Sequence, residues 1–272
     1  MTSVLDSIIQ GVREDLVARQ ALVSLAELKG IVNEVPRALP AAELLAGREF
    51  SVISEVKRAS PSKGFLAEIS EPGKLAAQYQ LGGAQVISVL TEQRRFNGSL
   101  GDLDEVRRNV SIPVLRKDFM VDEYQFWEAR AHGSDVILLI VAALDDAELS
   151  NFNSLSQELG MSVLVEVHNE SELERALTLN PKLVGVNARN LKTLDVDLAV
   201  CERLIPLIPD HVVAVAESGI SSTSDVERLV DSGAKAVLVG EALVTGGTPA
   251  ETVREWTQAG ASARAKYLSR KS

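Results

Sequence analysis

The chain has 272 residues, 46% hydrophobic, 24% charged and only 4% aromatic, with a formal net charge of −10. The acidic excess argues against nucleic acid or an anionic membrane as a partner. No apolar run is long enough to span a membrane, and the amphipathic, acid-bearing start "MTSVLDSIIQGVREDL" fits neither a secretory signal nor a transit peptide. The single Cys201 excludes an intramolecular disulfide and sits in a helical pattern as a small core residue. A cytoplasmic enzyme of one large or two small domains is the expectation.

Residues 1–45 read as helical: "VLDSIIQGVREDLVARQA" is an amphipathic helix, followed by a second short helix and a "PRALPAAELLA" connection. From residue 46 onward eight short β-branched runs recur: "FSVISEVK" (50–57), "AQVISVLT" (84–91), "IPVLRKD" (112–118), "DVILLIV" (135–141), "SVLVEV" (162–167), "LVGVN" (183–187), "HVVAVAES" (211–218) and "KAVLVG" (235–240). Helical patterns such as "PGKLAAQYQLG" and "SDVERLVDSGA" separate them, and Gly82, Gly133, Gly160 and Gly233 stand where left-handed helix caps are expected. Strands alternating with helices imply a parallel sheet covered on both faces. Eight such units predict an α/β fold, a (β/α)8 TIM barrel over 46–272 with an N-terminal helical extension at 1–45. An open dinucleotide-binding sheet lacks its glycine signature here. The pattern alone leaves open whether the extension caps the bottom of the barrel or covers its top.

The first strand carries the strongest anomaly. Glu55 and Lys57 are two residues apart in an apolar run, so their side chains leave one face together. Ionised groups buried without partners cost several kcal/mol, so a purely structural strand has no use for them. In a barrel of this type, reactive groups sit at the C-terminal ends of strands and alternate strands feed the same interior layer. The odd strands end in Glu55 and Lys57, Lys117, Glu166 and Glu217, whereas the even strands end in Thr91, Val141, Asn187 and Gly240. A ring of two lysines and three glutamates at the mouth is expected. An ion-pair network that only fills the barrel is the structural alternative, and apolar side chains fill space at less desolvation cost.

Two loop regions add an anion site. The segments "ESGISSTSDVE" (217–227) and "VGEALVTGGTP" (239–249) follow the seventh and eighth strands, where such barrels bind phosphate. Gly219 and Gly240 let backbone N–H groups approach an anion closely. The loop "RASPSKGFLAEISEPG" after the first strand is the longest strand-to-helix connection, and its Ser60 and Lys63 could meet an anion and close over it, with Arg58 facing outward. Glu166 and His168 form an E-x-H pair without a third ligand at suitable spacing, so no metal site is expected. His132, His211, Trp127 and Trp256 read as structural.

The segments "SEVKRASPSKG", "PVLRKDF", "LVEVHNE", "VGVNARNL", "AVAESGI" and "AVLVGEAL" resemble, in order and at the expected strands, the indole-3-glycerol phosphate synthases. The resemblance covers the whole chain. It implies ring closure of 1-(2-carboxyphenylamino)-1-deoxyribulose 5-phosphate, a step of tryptophan biosynthesis, with loss of carbon dioxide and water and with no cofactor or metal. It implies Lys117 as general acid on the ketone, Lys57 on the substrate carboxylate and in later proton transfer, and Glu166 as acid/base of the dehydration. Glu55, Asn187, Glu217 and Ser218 correspond to residues that position the lysines and sugar hydroxyls. Arg189 falls near the carboxylate, and Ser60, Gly219, Gly240 and Glu241 at the phosphate. A small anionic phosphorylated substrate, a monomer, and an extension packed over the catalytic end are the further implications, so that deleting residues 1–45 is expected to harm function more than folding. The alternatives are another phosphate-binding barrel, such as phosphoribosylanthranilate isomerase, or a silent ligand-binding barrel. The first leaves two lysines and three glutamates unexplained, and the second should have lost a lysine or Glu166.

Overall fold

The eight β-branched runs all become strands: β1 Ser51–Val56, β2 Val86–Leu90, β3 Val114–Lys117, β4 Val136–Ile140, β5 Ser162–Val167, β6 Leu183–Asn187, β7 Val213–Glu217 and β8 Ala236–Val239. In the computed structural model, which describes residues 3–271, every strand pairs in parallel with its sequence neighbour, and β1 pairs with β8 to close the barrel. The (β/α)8 architecture follows, because strands buried on both faces can end their pairing only by closing on themselves or by exposing edges.

Each strand is followed by helical structure: α4 Pro72–Gly82, α5 Leu100–Asn109, α6 Glu123–Ala131, α7 Asp146–Glu158, α8 Glu170–Leu177, α9 Ala199–Leu204, α10 Thr223–Asp231 and the short α11 Glu241–Thr245, before a long C-terminal α12 Pro249–Lys271. Ser99, Asp122, Asp145, Asn169 and Ser222 cap α5, α6, α7, α8 and α10 with side-chain acceptors. Those caps fix where the loops after β2, β3, β4, β5 and β7 turn into helix. The helices after β1, β6 and β8 have no such bond from their N-cap residue; Gly73 N of α4 donates instead to Glu105 Oε1 and Ala199 N of α9 to Asp197 Oδ1, each at 2.9 Å. Gly133, Gly160 and Gly233 are left-handed as expected, but the cap of α4 is Gly83. Gly82 lies inside that helix, where it meets α12 at Ala250 and Val253 with no room for a side chain.

The extension serves both ends of the barrel. It comprises α1 Val4–Leu22, α2 Leu25–Glu34 and α3 Ala41–Ala46. Val4, Leu5 and Ile8 of α1 line the cavity at the mouth. Leu16 of α1 and Leu28 of α2 pack with Tyr124 on α6, whose hydroxyl donates to Val23 O at 2.9 Å. α3 reaches the opposite end: Leu39 N donates to Asp135 Oδ1 just before β4, and Ala42 N to Ser162 Oγ at the start of β5. Ala41, Ala42 and Leu45 are buried there. Deleting residues 1–45 therefore also removes contacts at the bottom, so for that cut a loss of folding is expected beside the loss of function.

A deletion of residues 1–24 removes the cover of the mouth and keeps the bottom seal. Extending it to residue 45 strips away Leu45 as well, and burial of one leucine contributes about 1.5–3 kcal/mol. At roughly 2–4 °C per kcal/mol for a domain of this size, the longer deletion should melt about 3–12 °C below the shorter one. Thermal unfolding by circular dichroism on both proteins tests this, and equal melting temperatures would reject the seal.

Candidate active site

At the mouth, the alternation of the strands delivers the ring that the sequence implies. Glu55, Glu166 and Glu217 are 3%, 1% and 1% exposed. They enter the cavity together with Lys57 and Lys117, and with Leu90, Ile140, Asn187 and Leu238 from the even strands. Lys117 Nζ stands between two carboxylates, 3.4 Å from Glu166 Oε2 and 3.5 Å from Glu217 Oε2. Lys57 Nζ pairs with Glu55 Oε2 at 2.8 Å. Gly185, which pairs with Glu166 across β5 and β6, gives the Glu217 carboxylate its place, since a Cβ there would overlap Oε1.

The ring sets its own protonation. Burial pulls the Lys117 ammonium down, but Glu166, Glu217 and Glu55 outweigh it and hold the amine above the usual lysine range. Burial raises the Glu166 carboxyl. Lys117, His168 and a hydrogen bond from Asn187 more than reverse this and hold it below the usual range. Glu217 goes the other way: burial and the neighbouring Glu166 and Glu55, against the pull of Lys117, push it up to about 8. Two carboxylates around one ammonium thus divide their roles, one ionised and one retaining its proton near neutrality. Glu166 Oε2 and both Glu217 oxygens are buried without a hydrogen-bond partner, leaving Lys117 as their countercharge.

The loop residues gather on one side of the ring. Ser60 and Glu241 line the same cavity as Ser218, Gly219 and Gly240. Lys63 lies just outside it and bridges the β1 loop to Glu241 at the start of α11. Ser218 and Gly219 are both left-handed, with φ of 68° and 76°, a tight turn at the rim of the cavity that the glycine accommodates without strain. Arg189 lines the cavity, and its Nη1 donates to Ser62 Oγ at 2.7 Å and to Leu194 O at 3.1 Å, tying the loops after β1 and β6 together. Arg58 does not line the cavity. Instead of facing outward it is partly buried, bonding to Asp102 and Ile69 O, and it anchors the β1 loop to α5.

The opposite wall is apolar, and sequence patterning did not single it out. Phe96 and Phe119, with ring centroids 6.2 Å apart, join Val4, Leu5, Ile8, Leu191 and Leu194 around the mouth. These residues come from separate loops and the extension, where no periodicity marks a shared surface. Asp118 also lines the cavity, held by Thr91 Oγ1 and Arg116. Among the residues read as structural, His132 pairs with Asp104 at 2.7 Å and His211 is exposed. Burial pushes the Cys201 thiol up to about 12, as fits a core residue. His168 differs from the others: its ring sits between Glu172 and Glu166.

The model of the family described as "Indole-3-glycerol phosphate synthase" matches residues 5–256. The indole-3-glycerol phosphate synthase of Paenarthrobacter aurescens (strain TC1) is 58% identical over 266 residues, 96% of this chain and 98% of that protein. Those of Rhodococcus jostii (strain RHA1) and Mycolicibacterium smegmatis (strain ATCC 700084 / mc(2)155) are each 55% identical, covering 95% of this chain and 96% and 95% of theirs. With the fold, the charged ring and these relatives in agreement, the chain belongs to the indole-3-glycerol phosphate synthase family.

Proposed function

We propose that the chain converts 1-(2-carboxyphenylamino)-1-deoxyribulose 5-phosphate to indole-3-glycerol phosphate, carbon dioxide and water, with the buried Lys117–Glu166–Glu217 cluster as its chemical centre. The observation that carries the reading is one ammonium held between two carboxylates, beneath an apolar wall and beside a set of anion-facing loops. A flat aromatic ring suits the side of Phe96 and Phe119, and a phosphate suits the side of Ser60, Gly219, Gly240 and Glu241. The backbone of Glu241 serves there, together with the uncapped start of α11. The whole site is built from one chain, which supports a monomer, and the acidic net charge supports a cytoplasmic protein that acts on a small molecule rather than nucleic acid.

The chemistry needs a proton at the ketone first. Attack by the ring carbon that bears the carboxylate builds negative charge on the carbonyl oxygen. Lys117 is a charged donor already in place, and it gives up its proton as that oxygen becomes basic. The new carbon–carbon bond removes the aromaticity of the ring. Loss of carbon dioxide returns the electron pair and restores it, so the substrate is its own electron sink. Lys57 holds the carboxylate until it leaves, with Glu55 orienting the lysine at 2.8 Å. In the dehydration, Glu166 accepts the proton lost from the nitrogen or neighbouring carbon, and a lysine ammonium protonates the departing hydroxyl. Glu217, Asn187 and Ser218 steady Lys117 and the sugar hydroxyls. Arg189 and Lys63 complete the anion-binding rim.

Indole fluorescence developing when the purified protein meets this substrate is the direct assay. Its absence at high enzyme concentration would reject the function. In the same assay, Lys117→Met should lose about 10²- to 10⁴-fold in kcat, the usual effect of removing one general acid, with binding little changed. A variant with native circular dichroism and near-wild-type kcat would remove Lys117 from the role of acid.

Inorganic phosphate should compete with the substrate. Gly219→Val should weaken phosphate and substrate alike, because a side chain at this left-handed position strains the turn and collides with Val196. Calorimetric titration of phosphate into the folded variant decides the matter, since unchanged affinity would place the phosphate elsewhere.

A further inference from the structure

Glu166 and His168 are two residues apart at the end of β5, so their side chains leave the strand on the same side. The imidazole there is 11% exposed, and its two nitrogens face two different carboxylates. Nδ1 lies 2.9 Å from Glu172 Oε2, and the same oxygen accepts the backbone N–H of His168 at 2.8 Å. Glu172 is itself pinned at the first turn of α8, where Asn169 Nδ2 donates to its Oε1 at 2.6 Å and the Glu172 N–H returns to Asn169 Oδ1 at 3.0 Å. Nε2 is buried without a hydrogen-bond partner, and its nearest carboxylate atom is Glu166 Oε1 at 3.4 Å. Lys117 approaches the other oxygen, Oε2, also at 3.4 Å.

We propose that His168 is a positioning residue of the site: Glu172 clamps its ring, and the ring in turn holds Glu166 Oε1, so that Glu166 Oε2 faces Lys117 and the substrate. The inference rests on the reading of Glu166 as the acid/base of the dehydration. A carboxylate on a strand end has a free rotation about its last bond, and a base must present one oxygen at one place to be useful. His168 at Oε1 and Lys117 at Oε2 supply the restraint from either side. The arrangement also fixes charge. Burial pulls the imidazole down, but Glu166 and Glu172 together push it up to about 9, so it is a cation at neutral pH. Glu166 therefore has two cations against it, Lys117 and His168, and keeps its negative charge in a buried mouth that also holds Glu55 and Glu217.

The sign of the test follows from this charge. Removing one cation raises the proton affinity of Glu166, so its protonation sets in at higher pH. In His168→Asn, the acidic limb of the kcat–pH profile should move upward by about 1–3 units, the usual effect of one opposite charge within hydrogen-bonding range. KM should stay within about twofold. A merely structural histidine would instead give a uniform loss at every pH. Glu172→Gln, which keeps the ring and loses the clamp's charge, leaves His168 a cation where Glu166 titrates, so it should not raise the limb; its readout is the His168 titration itself, which carries the test if the first variant does not fold. Followed by NMR in the resting protein, the His168 ring should titrate near 9, and clearly lower in Glu172→Gln. An ordinary histidine titration in the wild type, a His168 titration unmoved in Glu172→Gln, or an unmoved acidic limb in a folded His168→Asn would overturn the clamp. Glu166→Gln separates the two levels of the argument: if it keeps wild-type kcat, the role of Glu166 fails while the NMR result still reports on the clamp.

Discussion

A lysine ammonium placed between two buried carboxylates is the constraint around which this protein is organised. Neither partner could be there alone, since an isolated charge out of water would neutralise or unfold its surroundings. Together they tolerate the barrel interior, and their mutual influence fixes which groups carry protons. The signs can be followed over pH. Lys117 is raised, so its contribution to stability is complete below its unfolded value of about 10.4 and is lost only as pH climbs through the higher folded value. Glu166 is lowered, so its contribution is present above about 4.3 and is lost as acid reaches its lower folded value. Over the neutral range both stay charged, and Glu217, pushed up to about 8, is the member of the ring that exchanges its proton there.

The barrel makes this cluster almost unavoidable once its sequence is written. Side chains of alternate strands share a layer, so charges at the ends of β1, β3, β5 and β7 must converge. Their convergence explains the two charges that interrupt the apolar run at Glu55 and Lys57, which pair with each other at 2.8 Å while facing the cavity. Everything outside the ring tunes access to it. Polar caps at α5, α6, α7, α8 and α10 fix where five of the rim loops turn into helix, whereas the loop that bears Gly240 runs into a helix without a side-chain cap.

How much of this could be read from the sequence depended on whether a signal was local. A lysine or glutamate at the end of a Val/Ile run is visible at once, because it breaks a pattern that burial imposes. The apolar wall of Phe96, Phe119, Leu191 and Leu194 was invisible for the converse reason: an apolar residue in a loop breaks nothing, and only the fold collects these four with Val4 and Ile8. His168 was misjudged because the E-x-H spacing was weighed only as a metal ligand set. Its actual partner, Glu172, lies across the strand-to-helix junction, where strand and helix periodicities both fail. Gly82 and Gly83 show the limit at a single residue. Two adjacent glycines satisfy a cap and a helix contact, and the sequence does not say which does which. The extension resisted an either/or reading because α1 and α3 go to opposite ends of the barrel.

The same strand that presents Lys117 also explains how the cover of the mouth is tied to the chemistry beneath it. On β3, Arg116 and Lys117 are neighbours, so they point to opposite faces. Lys117 enters the ring, while Arg116, 1% exposed, lies against the helices. There its guanidinium meets Asp118 at 3.0 Å and Glu128 of α6 at 2.9 Å, and its Nε donates to Thr91 Oγ1 at 3.2 Å. Glu128 is shared: its other oxygen takes Arg19 of α1 at 2.8 Å. Asp118 in turn lines the cavity and accepts from Thr91. A chain of ion pairs therefore runs from the covering helix, through α6, to the backbone that carries Lys117. Exposed pairs of α1 such as Arg94 with Glu14 add little by themselves. The buried segment is different, because removing any one partner leaves an uncompensated charge in the interior. Seating α1 and holding the end of β3 are thus parts of one electrostatic arrangement, and the cover is fastened to the strand whose lysine it shields.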